Sequence, residues 1–170
     1  MYRLELIGRH HDREAFDCGN EALNSYLRQT ARQHTESGIS RTFVLVEEDG
    51  PEPRPILGFF PLNICQLKGE AMPQPWAKRL PREVSGIKLG RLAVARGRQR
   101  QGLGRILLVA AMRMVLEVFE AVGGIGLFVD AKDEAARAYC QRFGFERLPD
   151  KPLQLFLPLG TIRQALAEDY

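Results

Sequence analysis

The sequence predicts a single α/β domain over residues 1–170, built on a mixed β-sheet of six to seven strands with helices on both faces. Its residues are 45% hydrophobic and 26% charged, which is typical of a globular chain and not of a disordered one. In the second half, strand-like runs alternate with helical runs, which implies parallel pairing. In the first half, strand-like runs follow each other across turn residues, which implies antiparallel pairing.

The first half contains one predicted helix among strands. The run YRLELI is a predicted strand, and from Asn20 to Glu36 the apolar residues recur at helical spacing. Either Asp17 or Asn20 could cap this helix, and Gly38 could end it. TFVLVEE and ILGFFPLNICQL are the next predicted strands. Pro61 indicates that the latter is an edge strand or contains a bulge.

The second half begins with a proline-rich connection. Residues 69–85 hold three prolines and are predicted to be a loop with at most one helical turn. KLGRLAVA is then a strand, RGRQRQGLG a loop and residues 105–122 a long helix. GIGLFVDA is a predicted strand, DEAARAYCQRF a helix, GFERL and LQLFLPL two closing strands, and a short helix ends the chain.

The cysteine usage and the N-terminus bear on the compartment. Cys18, Cys65 and Cys140 are odd in number and far apart, which argues against a disulfide framework and a structural zinc site. The N-terminus lacks a signal pattern, and no apolar run approaches the ~20 residues of a membrane span. We therefore expect a cytoplasmic protein without a metal site.

Basic residues are concentrated in one segment. The net charge is +3, but residues 76–105 contain nine basic residues and one acid, a net charge of +8. This asymmetry favours an anionic partner such as a phosphate-bearing cofactor or a nucleic acid, and the alternative is a solvated surface. Arg28 and Arg32 lie four residues apart on the first predicted helix, which would place both on one face. Five basic residues are candidates for nucleic-acid contact: Arg28, Arg32, Lys78, Arg79 and Arg82.

The segment from Leu89 to Arg105 carries the strongest chemical signal. A predicted strand leads into a loop with Gly102 and Gly104, where a helix begins. Glycines let backbone N–H groups approach a ligand closely, and a helix N-terminus adds free donors and a positive dipole end. Leu107 stands where the dinucleotide fingerprint needs its third glycine, and no Walker pattern is present. Three arginines around the turn fit the charge of a pyrophosphate: Arg98, Arg100 and Arg105.

Two motifs resemble those of the GNAT N-acetyltransferases. The run from Gln99 to Gly104 resembles their Arg/Gln-x-x-Gly-x-Gly/Ala loop, which holds the pyrophosphate of acetyl-coenzyme A (acetyl-CoA). The preceding strand resembles the splayed strand whose backbone bonds pantetheine and the thioester carbonyl, and the run from Ala136 to Phe145 is similar to their x-x-Gly-Phe signature. The resemblance covers nearly the whole chain and implies the GNAT fold, with acetyl-CoA as donor. The implied cofactor-binding residues are Leu92, Ala93, Val94, Gln99, Arg100, Gln101, Gly102, Leu103, Gly104 and Arg105, where Gln99 either bonds a phosphate or braces the turn.

A narrower resemblance concerns one branch of that family. The opening from Phe16 to Arg28, the phrase Leu89–Val94 and the stretch Val129–Ala136 resemble the GNAT toxins that are encoded beside ribbon-helix-helix antitoxins. That branch acetylates the α-amino group of aminoacyl-tRNA and so blocks translation, which implies a homodimer and an antitoxin partner. The alternatives are a packing role for the opening, a GNAT enzyme acting on a small amine or a protein amine, and a catalytically impaired module that binds coenzyme A (CoA).

The catalytic groups follow from the same resemblance. Val94 is expected to offer its backbone N–H to the oxyanion. GNAT enzymes usually carry a tyrosine four residues before the glycine of x-x-Gly-Phe, but here that position is Cys140, and the tyrosine is shifted to Tyr139. One residue on a helix is a rotation of about 100°, so the two side chains cannot point the same way. Three proton donors for the leaving thiolate stay open: water, Cys140 and Tyr139.

Overall fold

The computed structural model describes residues 1–168, and these form two compact units. The first unit contains residues 1–63 and 91–110, and the second contains residues 64–90 and 111–168. Each unit therefore combines segments that lie far apart in the sequence. A single domain over residues 1–170 stays a prediction.

Ten strands and six α-helices are described. The strands are β1 (Tyr2–Leu6), β2 (His11–Asp12), β3 (Arg41–Glu47), β4 (Arg54–Pro55), β5 (Gly58–Lys68), β6 (Glu83–Leu89), β7 (Ala93–Val94), β8 (Gly126–Asp130), β9 (Glu146–Leu148) and β10 (Lys151–Pro158). The α-helices are α1 (Glu21–Ser25), α2 (Ala31–Glu36), α3 (Trp76–Arg79), α4 (Leu103–Val122), α5 (Glu134–Gln141) and α6 (Leu159–Glu168).

The first unit is an antiparallel ladder with a helix packed against it. β1 pairs with β3, β3 pairs with β5, and the short β7 pairs with β5 as well. Leu27 from the helical segment and Val44 and Phe59 from the strands have no exposed surface and belong to one hydrophobic cluster. Burial of each such side chain contributes about 1.5–3 kcal/mol. This core supports β7 and the loop that follows it.

The second unit has a ladder of mixed direction. β6 is parallel to β8, whereas β8 with β10 and β10 with β9 are antiparallel. Phe128 and Phe156 stack in its core with ring centroids 5.0 Å apart, and a Cβ on Gly86 would lie 2.3 Å from the Phe128 ring. The prediction of a mixed sheet is thus confirmed. The two ladders contain four strands each, more in total than the six to seven expected.

The first predicted helix is present but contains a π-helical turn. α1 and α2 are joined by this turn at Tyr26–Thr30. Of the two residues that could cap the helix, Asn20 does so, since its side chain accepts from the Leu23 N–H at 3.2 Å. Gly38 follows the helix with φ +77°, a conformation that favours glycine. The start and the end of this helix are therefore as predicted.

The strand predicted at residues 88–95 is wrong in its extent. β6 begins five residues earlier, at Glu83, and stops at Leu89, and residues 90–92 lie outside any strand. β7 then contains only Ala93 and Val94 and belongs to the first unit, whereas β6 belongs to the second. The early start was missed because Ser85 and Gly86 have weak strand propensity.

Two further expectations need correction. The proline-rich connection contains a 3₁₀ turn at Gly69–Ala71 as well as α3, so it has two short turns. β5 is not an edge strand, because β3 and β7 lie on either side of it. The pairing of β5 with β7 covers only Gly58 and Phe59, so Pro61 lies outside it and the missing N–H of Pro61 costs no bond to β7. Within residues 1–168, no helix is both long and apolar enough to cross a membrane.

Candidate active site

β7 presents one backbone N–H on the side that faces away from its partner strand. The Ala95 N–H donates to the Leu57 carbonyl at 2.8 Å, and Val94 lies opposite Gly58. In an antiparallel ladder, bonded and non-bonded residues alternate, so the N–H and C=O of Val94 both point away from β5. β5 can come this close because it has a glycine here, where a Cβ would lie 2.8 Å from the Ala93 carbonyl oxygen. Val94 therefore has the orientation that an oxyanion donor needs.

The loop after β7 leads directly into the N-terminus of α4. Arg100 and Gly102 have φ values of +64° and +81°, and the Gly102 carbonyl accepts from the Ile106 N–H at 3.2 Å. A Cβ on Gly102 would meet no atom within 4 Å, so the space beside this residue is open. Left-handed residues turn backbone N–H groups toward a common centre, and the first N–H groups of a helix lack intrahelical acceptors. These features fit an anion such as a pyrophosphate.

The arginines near the loop differ in what they contact. Arg98 donates to Glu47 at 2.9 Å and to the Tyr2 hydroxyl at 3.1 Å, and these hydrogen bonds raise the pKa of Arg98. Arg98 therefore forms an ion pair with Glu47 of β3, and its expected contact with a phosphate stays a prediction. Arg100 and Arg105 are exposed on the loop and on the first turn of α4.

Gln99 uses both of its amide hydrogens inside the protein. Its Nε2 donates to the carbonyls of Cys18 and Val94, each at 3.0 Å. Cys18 belongs to the turn between Asp17 and Asn20, whose sequence had indicated helix capping and a resemblance to the toxin branch. The Arg96 N–H also donates to the Asp17 carbonyl at 2.8 Å. The contact between this turn and the loop was not anticipated from the sequence.

The turn is itself fixed by hydrogen bonds. Asp17 Oδ1 accepts from the Gly19 N–H at 2.9 Å and from Asn24 Nδ2 at 3.0 Å, and these two bonds lower the pKa of Asp17. The buried Asn24 accepts in return from the Cys18 N–H at 2.9 Å. The Asp-Cys-Gly-Asn run is a recognisable turn signature, but nothing in it identifies the loop as its neighbour.

Tyr139 and Cys140 lie in the second unit, on α5. Asp133 caps this helix by accepting from the Ala136 N–H at 2.8 Å. Cys140 is buried, and burial raises the pKa of its thiol, so the thiol is protonated at neutral pH. Tyr139 is half-buried, with the Phe143 ring 5.3 Å away. The two side chains occupy different environments, as expected for adjacent helical residues.

One cluster has the composition of a metal site. Glu5, His10 and His11 bring three potential ligand atoms within 4.8 Å of one another. However, His11 Nδ1 accepts from the Gly8 N–H at 2.9 Å, so neutral His11 carries its proton on Nε2, which lies 2.9 Å from Glu5 Oε1. In that state neither ring nitrogen of His11 is open to a metal ion. The cluster is a hydrogen-bonded group within the first unit.

The basic candidates for nucleic-acid contact fall into two groups. Arg28 pairs with Glu21 toward the start of the helix, and Arg32 pairs with Glu36 toward its end. Arg28 lies in the π-helical turn, which changes the rotation about the helix axis between the two arginines. The second group is exposed and forms no ion pair with any residue in the described range 1–168; its members are Lys78, Arg79 and Arg82.

Comparisons with known proteins agree with these features. The family model described as "Acetyltransferase (GNAT) family" matches residues 7–145. A tRNA-acetylating toxin of Mycobacterium tuberculosis is 32% identical over 157 residues, which is 92% of each chain. The solved structure of AtaT complexed with acetyl-methionyl-tRNAfMet is 31% identical, with a TM-score of 0.90 over 98% of this chain and 99% of that one.

A second solved structure contains the acetyl donor. It is a tyrosine-to-phenylalanine mutant of the toxin AtaT bound to acetyl-CoA and to the C-terminus of the antitoxin AtaR. It is 30% identical, with a TM-score of 0.83 over 97% of this chain and 98% of that one. The loop, the strand before it and the extent of the family match agree, and the chain belongs to the GNAT family of acetyltransferases.

Proposed function

We propose that this protein is an acetyl-CoA-dependent N-acetyltransferase that acetylates the α-amino group of aminoacyl-tRNA and acts as the toxin of a toxin–antitoxin pair. One observation carries the enzymatic part: Val94 turns its N–H away from β5, eight residues before Gly102 in the loop that leads into the N-terminus of α4. The names of the relatives, which include a tRNA-acetylating toxin, support the choice of acceptor.

The loop residues have distinct roles in this proposal. Acetyl-CoA supplies the acetyl group as a thioester, and the loop residues bind its pyrophosphate. Gly102 and Gly104 allow the backbone to approach the phosphates, while Arg100 and Arg105 offset their charge. Leu103 is buried and anchors the first turn of α4, and Gln101 is exposed on the loop before it. The backbone of Leu92 and Ala93 borders the path of pantetheine.

Val94 is the proposed oxyanion donor. Attack of an amine on a thioester places negative charge on the carbonyl oxygen. A donor already aimed at that oxygen lowers the activation free energy by about 3–4 kcal/mol. A free α-amino group has a pKa near 7.7–8.0, so much of the acceptor is neutral without a strong general base. The site therefore acts mainly by orientation and by stabilising charge.

The proton for the leaving thiolate is assigned to water. Cys140 has a protonated thiol but a buried one, and Tyr139 is one position away from the usual tyrosine of the family. Cys140 is the second choice, because a protonated thiol can donate, and Tyr139 is the third. Positioning of the two reactants then carries most of the rate enhancement.

The acceptor would bind through basic side chains that form no ion pair within residues 1–168. Lys78, Arg79 and Arg82 meet that condition, whereas Arg28 and Arg32 are each paired with a glutamate. Contacts to RNA phosphates gain affinity by releasing counterions, and an arginine already paired with a carboxylate gains less. A homodimer, a ribbon-helix-helix antitoxin and a cytoplasmic location complete the proposal, and the three free thiols fit that location.

The test is transfer of labelled acetyl from acetyl-CoA to a bulk pool of charged tRNA, with uncharged tRNA and spermidine as controls. We expect label in charged tRNA alone. Label in spermidine alone would replace the proposal with an enzyme of small amines. Bound CoA with no transfer to any acceptor would favour the impaired module, which the shifted tyrosine motivates.

A further inference from the structure

We propose that Gln99 is a positioning residue that ties the turn at Asp17–Asn20 to Val94, and thereby holds the oxyanion donor in place. The inference rests on the proposed function and goes beyond it, because it assigns a role to a side chain and to a turn that do not contact the reacting atoms. All of the residues involved lie in the first unit.

The donor count of Gln99 excludes the alternative role as a phosphate ligand. A glutamine amide has two N–H donors, and both are directed at carbonyl oxygens, those of Cys18 and Val94, at 3.0 Å each. The remaining group, Oε1, is an acceptor and would repel a phosphate oxygen. Since both partners are acceptors, the orientation of the amide is also determined.

The anchor at the far end of this link is rigid. The Cys18 carbonyl belongs to a turn in which the buried Asn24 donates to Asp17, while the side-chain oxygens of these two residues accept from N–H groups of the turn. The turn also accepts the Arg96 N–H at 2.8 Å, and Asp17 pairs with the Arg96 guanidinium at 3.6 Å. A turn that is held by several hydrogen bonds can fix the position of a side chain bonded to it, whereas a mobile turn cannot.

The other end of the link fixes Val94. In an extended residue, the N–H and C=O point to the same side of the strand. Because Gln99 holds the Val94 carbonyl, it also limits the direction in which the Val94 N–H can point. β7 has only two residues, so its own ladder is too short to do this alone. An oxyanion donor stabilises charge only when its direction is fixed before the reaction.

The first part of the test does not depend on activity. Gln99→Glu replaces both donors with a carboxylate that faces two carbonyls, and Gln33→Glu, an exposed position on α2, introduces the same charge elsewhere. Amide hydrogen exchange of the unliganded protein is measured by mass spectrometry. We expect faster exchange in two segments at once, residues 17–19 and 94–98, in Gln99→Glu and not in Gln33→Glu. Unchanged exchange at residues 17–19 would overturn the proposal.

The second part separates positioning from phosphate binding. Transfer to charged tRNA is measured with acetyl-CoA and with acetyl-pantetheine, which lacks the nucleotide and the pyrophosphate. For Gln99→Glu we expect kcat to fall by about tenfold with both donors, on the scale of about one hydrogen bond. Gln99→Arg, which keeps N–H donors, should restore most of kcat. An increase in KM for acetyl-CoA with acetyl-pantetheine unaffected would make Gln99 a phosphate ligand and overturn the proposal.

The two parts also separate this inference from the proposed function. If the unmodified protein transferred acetyl to neither charged tRNA nor spermidine, the proposed function would fail. The exchange measurement would still decide whether Gln99 connects the turn to Val94, because it needs neither donor nor acceptor. Circular dichroism of each variant excludes loss of the fold as the cause.

Discussion

The loop after β7 and the helix α5 are built on different principles. The loop offers backbone groups whose directions are determined by two left-handed residues, a helix N-terminus and the side chain of Gln99. α5 offers side chains, and there a shift of one position separates the tyrosine from its usual place. A site made from backbone tolerates changes of side chain as long as its glycines remain. A site made from one side chain does not tolerate a change of register.

The largest effect is expected for the basic side chains that act by charge alone. Simultaneous replacement of Lys78, Arg79 and Arg82 by alanine should weaken binding of charged tRNA by about 10- to 100-fold near physiological salt. It should also lower the slope of log affinity against log salt by about 2, which is roughly 0.7 for each lost phosphate contact.

The matched variant for this measurement is the double replacement of Arg28 and Arg32 by alanine. Its effect should be smaller, because each of these arginines is already paired with a glutamate. Filter binding across a salt titration would give both slopes. Equal changes in slope per replaced residue would show that these ion pairs open on RNA binding.

A glycine pair tests whether the loop depends on backbone conformation. Gly102→Ala and Gly97→Ala each add a methyl group where no atom lies within 4 Å, but only Gly102 has a positive φ. Left-handed backbone costs a non-glycine residue roughly 1–2 kcal/mol. For Gly102→Ala we expect this cost to appear either as lower stability or as CoA binding that is about tenfold weaker. For Gly97→Ala we expect neither change. Calorimetry with CoA and thermal unfolding check this, and equal behaviour of the two variants would contradict it.

The stability of the protein in acid depends on the buried His11 in the first unit. Burial lowers the pKa of His11, although its hydrogen bond to Glu5 opposes the shift. The unfolded chain therefore takes up this proton near pH 6.5, before the folded chain does, and the free energy of unfolding falls as the pH drops below that value. In urea titrations from pH 7 to pH 5, His11→Gln should lose less stability than the unmodified protein does. An equal loss of stability in the two proteins over this range would contradict the prediction.

The smallest effect is expected on α5. If water protonates the thiolate, Cys140→Ala and Tyr139→Phe should each leave kcat within about twofold, although Cys140→Ala should lower stability by about 1 kcal/mol through its cavity. A loss of more than tenfold in kcat for either variant would assign the acid to that residue. Cys140→Tyr, which restores the usual residue of the family, would then distinguish a weakened site from a different mechanism.

The features that sequence analysis predicted are those with local causes. The cap at Asn20, the glycine-containing loop at Gly102 and the start of a helix after it follow from residue types that lie next to each other. The partners of Gln99 and Arg98 could not be predicted, since Gln99 contacts Cys18 across 81 residues and Arg98 contacts Glu47 across 51. Such contacts depend on how the strands pack, which hydrophobic periodicity does not specify.

The same distinction explains the errors at the level of elements. The π turn at Tyr26–Thr30 leaves no mark in the apolar pattern, because Leu27 within it and Ala31 directly after it are both buried. The sequence does not indicate the break between β6 and β7, because apolar residues resume at Leu92 although residues 90–92 lie outside any strand. Periodicity reports which residues are buried, and the hydrogen-bond partners of the backbone must come from the structure.

The surroundings of the three cysteines have a practical consequence for spectroscopy. Burial raises the pKa of Cys65 and of Cys140, so at neutral pH few of these thiols are in the thiolate form that reacts with maleimides. Cys18 is half-exposed, and its own carbonyl is the group that accepts from Gln99. A fluorophore attached there would report on movement of the loop as acetyl-CoA binds, without any engineered cysteine.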